Sequence, residues 1–387
     1  MSRAGYRVLA AVPWEKPLTT RLADLKRGTL RVAYVYERAE TGTFRYRCYN
    51  MAQAINQDDS SMSASYFFLH DLLAIDRLSD YADVLVLVRV RYDSDVERLV
   101  RSFRLAKKPV LYDIDDHFFT LEGNALLVAS IDRGLTRFGQ AEKWMGAVGR
   151  IRQSLHHVDG VITTTEFLAD QLRDQLSVPV TVIPNFLNNE QWEYSQTLRA
   201  NRVAPAADAP VIGYFSGSAS HNRDYQIAEE GLLHVLHNYP GARLRIAGYL
   251  EPPKSFDRFA NRVDRLPFMD FLGLQKAISE VSLNLSPLQH NAFSYSKSEL
   301  KYFEAAAAGV LTVASPVPVF TQAITHQHNG YLADDLAWPD VLDQALGASP
   351  EQIIERTDAA LAHVADTYTP WAQSPHIQQT IRQLSST

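Results

Sequence analysis

The chain has 387 residues, 46% of them hydrophobic and 21% charged, with 18 glycines and 18 prolines. That length suits two domains of about 100–200 residues each, and the composition is that of a globular protein rather than a solenoid or a disordered tail. With Lys+Arg 38 against Asp+Glu 44 the net charge is −6, far from the concentrated positive surface that nucleic-acid binding needs, so no nucleic acid is expected as a partner.

A single cysteine, Cys48, rules out an intramolecular disulfide. The opening "MSRAGYRVLAAVPWEKPL" has an apolar run too short and too interrupted for a signal peptide, and no segment approaches the roughly 18 apolar residues of a spanning helix. The expected location is therefore cytoplasmic, with any membrane contact peripheral. Residues 1–190 hold 24 Lys+Arg against 24 Asp+Glu, while residues 191–387 hold 14 against 20, a difference that fits two separate domains.

Along the first half, β-branched and aromatic runs alternate with helical patterns. "LRVAYVYE" (30–37), "SASYFFL", "ADVLVLVRV" (82–90), "PVLYDID" (109–115), "GVITTT" (160–165) and "VTVIPN" (180–185) read as strands, with helices between them. Strand and helix in turn imply a parallel sheet covered on both faces, a Rossmann-like domain. Past "IPNFLNNEQW" the periodicity fades through an Ala- and Pro-rich stretch that reads as a linker over 199–209. A second alternation follows in "PVIGYFSG" (210–217), "ARLRIAGY" (242–249), "SLNLSP" (282–287), "VLTVAS" (310–315) and "NGYLADD". The expected organisation is an N-terminal domain over 1–198, a second Rossmann-like domain over 210–365, and a tail over 366–387 that breaks at Thr369 and Pro370 and crosses back to brace the first domain. Ligands of such α/β sheets bind beyond the carboxyl ends of the strands, which puts the site in the cleft between the two domains.

The stretch "SYSKSELKYFEAAAAGV" (294–310) concentrates charge at one helix end. Ser296 and Glu299 fit a capping box, which would start the helix there and aim its free amides outward as an anion site beside Lys297. Lys297, Lys301 and Glu304 stand at i, i+4 and i+7 and share a face. The pattern suits a phosphate at the helix tip with a ribose farther along, and equally an ordinary charged surface face.

The order of strand, Pro-containing loop, "KSELKYFEAAAAGV" and the strand "LTVAS" resembles the donor-binding region of glycosyltransferases with the two-Rossmann GT-B fold, above all the retaining family 4. The resemblance covers roughly residues 30–330. It implies that Glu304 takes the place of the glutamate that binds the donor ribose hydroxyls, and that the first glutamate of the pair is replaced by Ser296. "IGYFSGSASHNRDY" (212–225) is similar to the first strand and loop of the family's donor domain. By that likeness Gly217 takes the glycine position, Ser218 replaces an arginine and Arg223 takes a lysine position, while Lys297 is placed to restore the missing cation. The loop around Phe268 and Met269 corresponds to the one that holds the nucleotide base through backbone groups.

On the acceptor side, "TGTFRYRCYN" (41–50) offers Gly42, Arg45 and Arg47 to phosphate or acceptor, and its single glycine makes no dinucleotide fingerprint. "VLYDIDDHFF" (110–119) ends a strand with Asp113, Asp115, Asp116 and His117, which are expected to project into the cleft. Asp115, Asp116 and His117 are the candidate catalytic groups, with Asp116 or His117 orienting the acceptor hydroxyl or accepting its proton. A metal site is the rival reading of this cluster, whereas the GT-B resemblance implies metal independence and no cofactor besides the donor. "RLVRSFRLAKK" (98–108) reads as a solvated basic helix face or a contact for anionic lipid.

The resulting expectation is a hexosyl- or deoxyhexosyltransferase of polysaccharide biosynthesis, metal-independent and retaining, that uses a nucleotide-diphosphate sugar and a glycan or lipid-linked acceptor. An epimerase of the same fold and a noncatalytic nucleotide-sugar-binding module are the alternatives. Sugar, base and acceptor identity are not encoded in any motif.

Overall fold

The apolar runs form two six-stranded sheets whose strand pairings are all parallel. The computed structural model describes residues 6, 8–57, 61–75, 77–130, 140–217, 222–248, 250 and 252–385. The first sheet comprises β1 (Leu30–Tyr36), β2 (Met62–Phe68), β3 (Val84–Val88), β4 (Val110–Ile114), β5 (Gly160–Thr163) and β6 (Val180–Val182), in the order β2-β1-β3-β4-β5-β6. The second comprises β7 (Val211–Ser216), β8 (Arg243–Gly248), β9 (Val263–Leu266), β10 (Leu283–Ser286), β11 (Leu311–Ala314) and β12 (Tyr331–Leu332), in the order β12-β11-β10-β7-β8-β9. Central strands such as "VLVLV" in β3 are buried along their whole length, as expected where helices cover both faces of a parallel sheet. The two-domain α/β architecture anticipated above, that of the GT-B fold, is present.

Strand order reverses between β1 and β3 in the first sheet and between β7 and β10 in the second. Each reversal sends successive crossovers to opposite faces and leaves a crevice outside the strand ends, the place where such sheets take ligands.

The helix Asn189–Ala200 follows the first sheet, started by Asn188, whose side chain accepts from the Gln191 amide at 2.8 Å. Residues 201–210 beyond it are irregular. At the far end the helices Pro350–Thr367 and Pro370–Leu384 are separated at Tyr368 and Thr369, with Thr369 capping the second. That last helix packs on the helix Asn50–Ile55 of the first domain, and His376 bonds the Val182 carbonyl in β6 at 2.8 Å.

Three details differ from the sequence reading. β9 lies inside the segment taken as the base-holding region, and the loop 267–270 follows it. The capping box at Ser296 does not form. A short helix, Ala292–Tyr295, ends there, the Ser296 hydroxyl donates back to the Phe293 carbonyl at 2.6 Å, and the alanine-rich helix begins only at Leu300. The basic run at 98–108 is partly internal: Lys108 Nζ donates to the carbonyls of Ser79 and Ala82 and pairs with Asp83. Among the described residues no helix is long and apolar enough to cross a membrane.

Candidate functional site

Between the sheets lies a cleft of about 410 Å³. The first domain lines it with residues 40–43, 45 and 46 from the segment after β1, Asp115 and Asp116 beyond β4, and Asn185; the second lines it from the ends of β7 and β8, the loop 267–269 and the start of the alanine-rich helix. Seven of the sequence-derived site residues meet on these walls together with Asp115: Asp116, Gly217, Phe268, Met269, Lys297, Lys301 and Glu304.

Lys301 is the least compensated charge in the cleft. Its Nζ is buried with no hydrogen-bond partner among the described residues and sits 4.4 Å over the Tyr214 ring. Burial lowers its pKa to about 8, against the weaker pull of Asp224 and Glu304. A buried ammonium with no direct ion pair among the described residues is unfavourable, and an anion in the cleft would relieve it.

Lys297, one helical turn earlier, pairs across the cleft with Asp116 Oδ1 at 2.8 Å and lies over the Phe293 ring. The late helix start leaves it four residues before Lys301 in the non-helical segment 297–299, from which its side chain reaches Asp116 of the first domain.

Glu304 is buried, yet its two oxygens are in different situations. Tyr46 Oη at 2.5 Å, Gln191 Nε2 at 3.3 Å and an Arg45 nitrogen at 3.5 Å all converge on Oε1. Among the described residues no donor is placed on Oε2, and Glu304 lines the cleft. Arg45 is itself held by the Thr41 carbonyl and by Gln191 and stacks 4.0 Å from the Tyr46 ring. Sequence reasoning missed Tyr46 and Gln191 because each touches Glu304 only through tertiary packing.

Two glycines shape the wall between β7 and β8. Gly248 has φ +95, and a Cβ there would meet the Ser216 carbonyl at 1.9 Å, so no larger residue fits. A Cβ at Gly217, which lines the cleft, would meet no atom of the described residues within 4 Å.

The aspartate cluster divides. Asp113 is fully buried and makes a bidentate pair with Arg47, 2.9 Å at each oxygen; burial raises its carboxyl to about 6 against the opposing effect of Arg47. Neither Asp113 nor Arg47 reaches the cleft, which corrects the expectation for both: Arg47 is consumed by Asp113, the Ile183 carbonyl and Asn185. Asp115 accepts from Thr43 Oγ1 at 2.8 Å and from Arg89 at 3.2 Å. His117 also departs from expectation: it is buried away from the cleft beside Phe119 and Phe167, bonded through Nε2 to Thr120, and burial lowers its pKa. Its position follows from the chain turning inward after Asp116 to seat Phe118 and Phe119 in the core.

Two further candidates, Ser296 and Arg223, are not among the cleft-lining residues. Ser296 is buried and tied to its own helix end. Arg223 is exposed in the first turn of the short helix Asn222–Ile227. Ser218 lies outside the described residues. Among the described residues, no three His, Cys, Asp or Glu side chains are grouped so as to hold a metal ion.

With this geometry in place, residues 209–348, which contain β7 to β12, match the family model described as glycosyl transferases group 1. By that match the second domain is similar to the glycosyl transferases group 1. No curated protein is similar to the chain in sequence. Among solved structures, the chain resembles HepE of Anabaena in complex with UDP and glucose, at 12% identity and TM-score 0.60, covering 91% of this chain and 99% of that one. Sucrose-phosphate synthase from Thermosynechococcus elongatus aligns with TM-score 0.55 at 14% identity, covering 92% and 99%. A mutant of S. aureus TarM in complex with Fondaparinux, alpha-GlcNAc-glycerol and UDP aligns with TM-score 0.52 at 16% identity, covering 82% of this chain, which spans only 58% of TarM. At such identities the likeness establishes the GT-B fold.

Proposed function

We propose that the protein transfers a hexosyl or deoxyhexosyl group from a nucleotide-diphosphate sugar to a glycan or lipid-linked acceptor. The observation that carries this reading is the buried Lys301 ammonium, without a hydrogen-bond partner among the described residues, in a cleft of the domain that matches the glycosyl transferases group 1 model, a cleft that Glu304 also lines. A diphosphate supplies a direct counter-charge, a ribose hydroxyl donates to Glu304, and the loop at Phe268 and Met269 borders the base. When the bond from the anomeric carbon to the diphosphate breaks, negative charge grows on the leaving oxygens. Lys301, with Lys297 released from Asp116, stabilises that charge in a low-dielectric site without needing a metal.

Asp115 and Asp116 are each engaged by a cation, Arg89 and Lys297. Neither stands as a free base, which supports a front-face reaction in which the departing diphosphate takes the acceptor hydroxyl's proton and the configuration is retained. The lone buried thiol of Cys48 accords with a reducing, cytoplasmic setting.

The test is release of nucleoside diphosphate from a panel of nucleotide sugars, with and without glycan acceptors. Acceptor-dependent release is expected, and Asp116→Asn should lower transfer more than donor binding. An epimerised donor formed without acceptor, or binding with no turnover on any acceptor, would overturn the reading in favour of an epimerase or a binding module.

A further inference from the structure

A second cavity of about 360 Å³ opens in the first domain, bounded by Tyr36, Glu37, Arg89, Arg91, Phe118 and Trp144. It lies beyond the carboxyl ends of β1 and β3, at the reversal of strand order, where an α/β sheet leaves its ligand crevice. Nothing in the donor cleft requires it, although Arg89 joins the two. Arg89 Nη1 donates to Thr43 Oγ1 at 2.7 Å and to Asp115 Oδ1 at 3.2 Å, and both of those residues line the donor cleft.

Arg89 has φ +50, a left-handed backbone that a side chain of this size adopts only against strain, and such strain concentrates at functional positions. The strained backbone aims the guanidinium across the Phe118 ring at 4.4 Å. Among the described residues its Nε and Nη2 have no acceptor, so two donors of a planar fork are left toward the second cavity. Arg91 adds a second guanidinium at the rim, paired with Glu37 at 2.9 Å and still 43% exposed. The cavity thus combines aromatic walls with two guanidiniums, each paired on one side with a carboxylate, Arg89 with Asp115 and Arg91 with Glu37.

We infer that this cavity is the acceptor subsite and that it takes a sugar ring bearing an anionic group, a carboxylate or a phosphate. The inference rests on the glycosyl-transfer reading of the adjoining cleft. Tyr36, Phe118 and Trp144 offer the apolar surface on which the C–H face of a sugar ring packs. The free edge of Arg89 and the Arg91 fork match the two oxygens of a carboxylate or phosphate. The Arg89–Asp115 contact then links acceptor occupancy to the donor side, because Arg89 lines the second cavity and Asp115 the donor cleft.

The test titrates the full chain with glucose, glucuronate and glucose 6-phosphate, followed by saturation-transfer NMR, and in parallel with UDP and other nucleoside diphosphates by calorimetry. At least one acidic sugar should bind about ten-fold tighter than glucose, the scale of a charge-assisted bidentate contact. A carboxylate ligand would favour glucuronate and a phosphate ligand glucose 6-phosphate. Arg91→Ala should remove most of that preference, and Glu37→Gln, which frees Arg91, should enlarge it, with nucleotide binding unchanged by either. Equal binding of glucose and both acids, or loss of neutral and acidic sugars alike in Arg91→Ala, would overturn the inference. Nucleotide binding that persists through such a failure would leave the donor-cleft reading standing, whereas acidic-sugar binding without any nucleotide binding would overturn only the latter.

Discussion

Because burial holds the Lys301 amine at about 8 rather than 10.5, its charge is partly lost just above neutral pH. A bound diphosphate prefers the protonated form, so affinity should be level near neutrality and fall as pH rises through about 8, checked by calorimetry from about pH 6 to about pH 9.5. Lys301→Met should weaken binding by about 1.5–3 kcal/mol and flatten that profile. The same shift has a stability consequence. The folded pKa lies below the unfolded one, so between the two the unfolded chain binds more protons, and the ligand-free protein should gain stability as pH rises across that window. Glu304 gives a separate prediction. It lines the cleft with no donor placed on Oε2 among the described residues, so Glu304→Ala should erode the preference for ribose over deoxyribose nucleotides, measured as the ratio of their Kd values; equal losses for both would remove Glu304 from the ribose site.

At the scale of elements, the segment after β1 does the sorting. Arg45–Tyr49 form a π-helical turn, a wider turn that often marks functional sites. It sends Arg45 and Tyr46 toward Glu304 and Arg47 into the core against Asp113. Arg47→Ala would leave Asp113 buried and uncompensated, a loss of about 3–5 kcal/mol in denaturant unfolding, whereas replacing both partners, Arg47→Met with Asp113→Leu, should recover much of it. A double variant as unstable as the single one would show that the cost lies elsewhere. Sequence alone carried the strands well, because runs such as "VLVLV" and "VLYDI" are continuous apolar segments of strand length. It missed β9, whose "VDRL" has too little apolar character, and it misplaced the helix start, because the Ser-x-x-Glu pattern at Ser296 describes a cap that tertiary packing overrides. The division of the aspartate cluster was equally invisible, since only the position of Arg47 in the folded protein decides which carboxylate is internal.

For the molecule as a whole, the two sheets meet along a cleft bridged by Lys297–Asp116 and Tyr46–Glu304, and additional contacts from the N-terminal segment reach the second domain at Glu280 and Asp270. The alternation of strands and helices made the two-domain architecture readable, and the charged stretch pointed to Lys297, Lys301 and Glu304 together, although Lys297 precedes the helix rather than sharing its face. What the sequence could not supply was their partners, which come from the other domain. The account therefore stands on the cleft binding a nucleoside diphosphate, and calorimetric titration of UDP, GDP and dTDP into the intact protein, with and without EDTA, tests it most directly. It predicts one-to-one binding of one of them, indifferent to EDTA and weakened by Lys301→Met. Binding of none of the three, or binding untouched by the loss of Lys301, would contradict it.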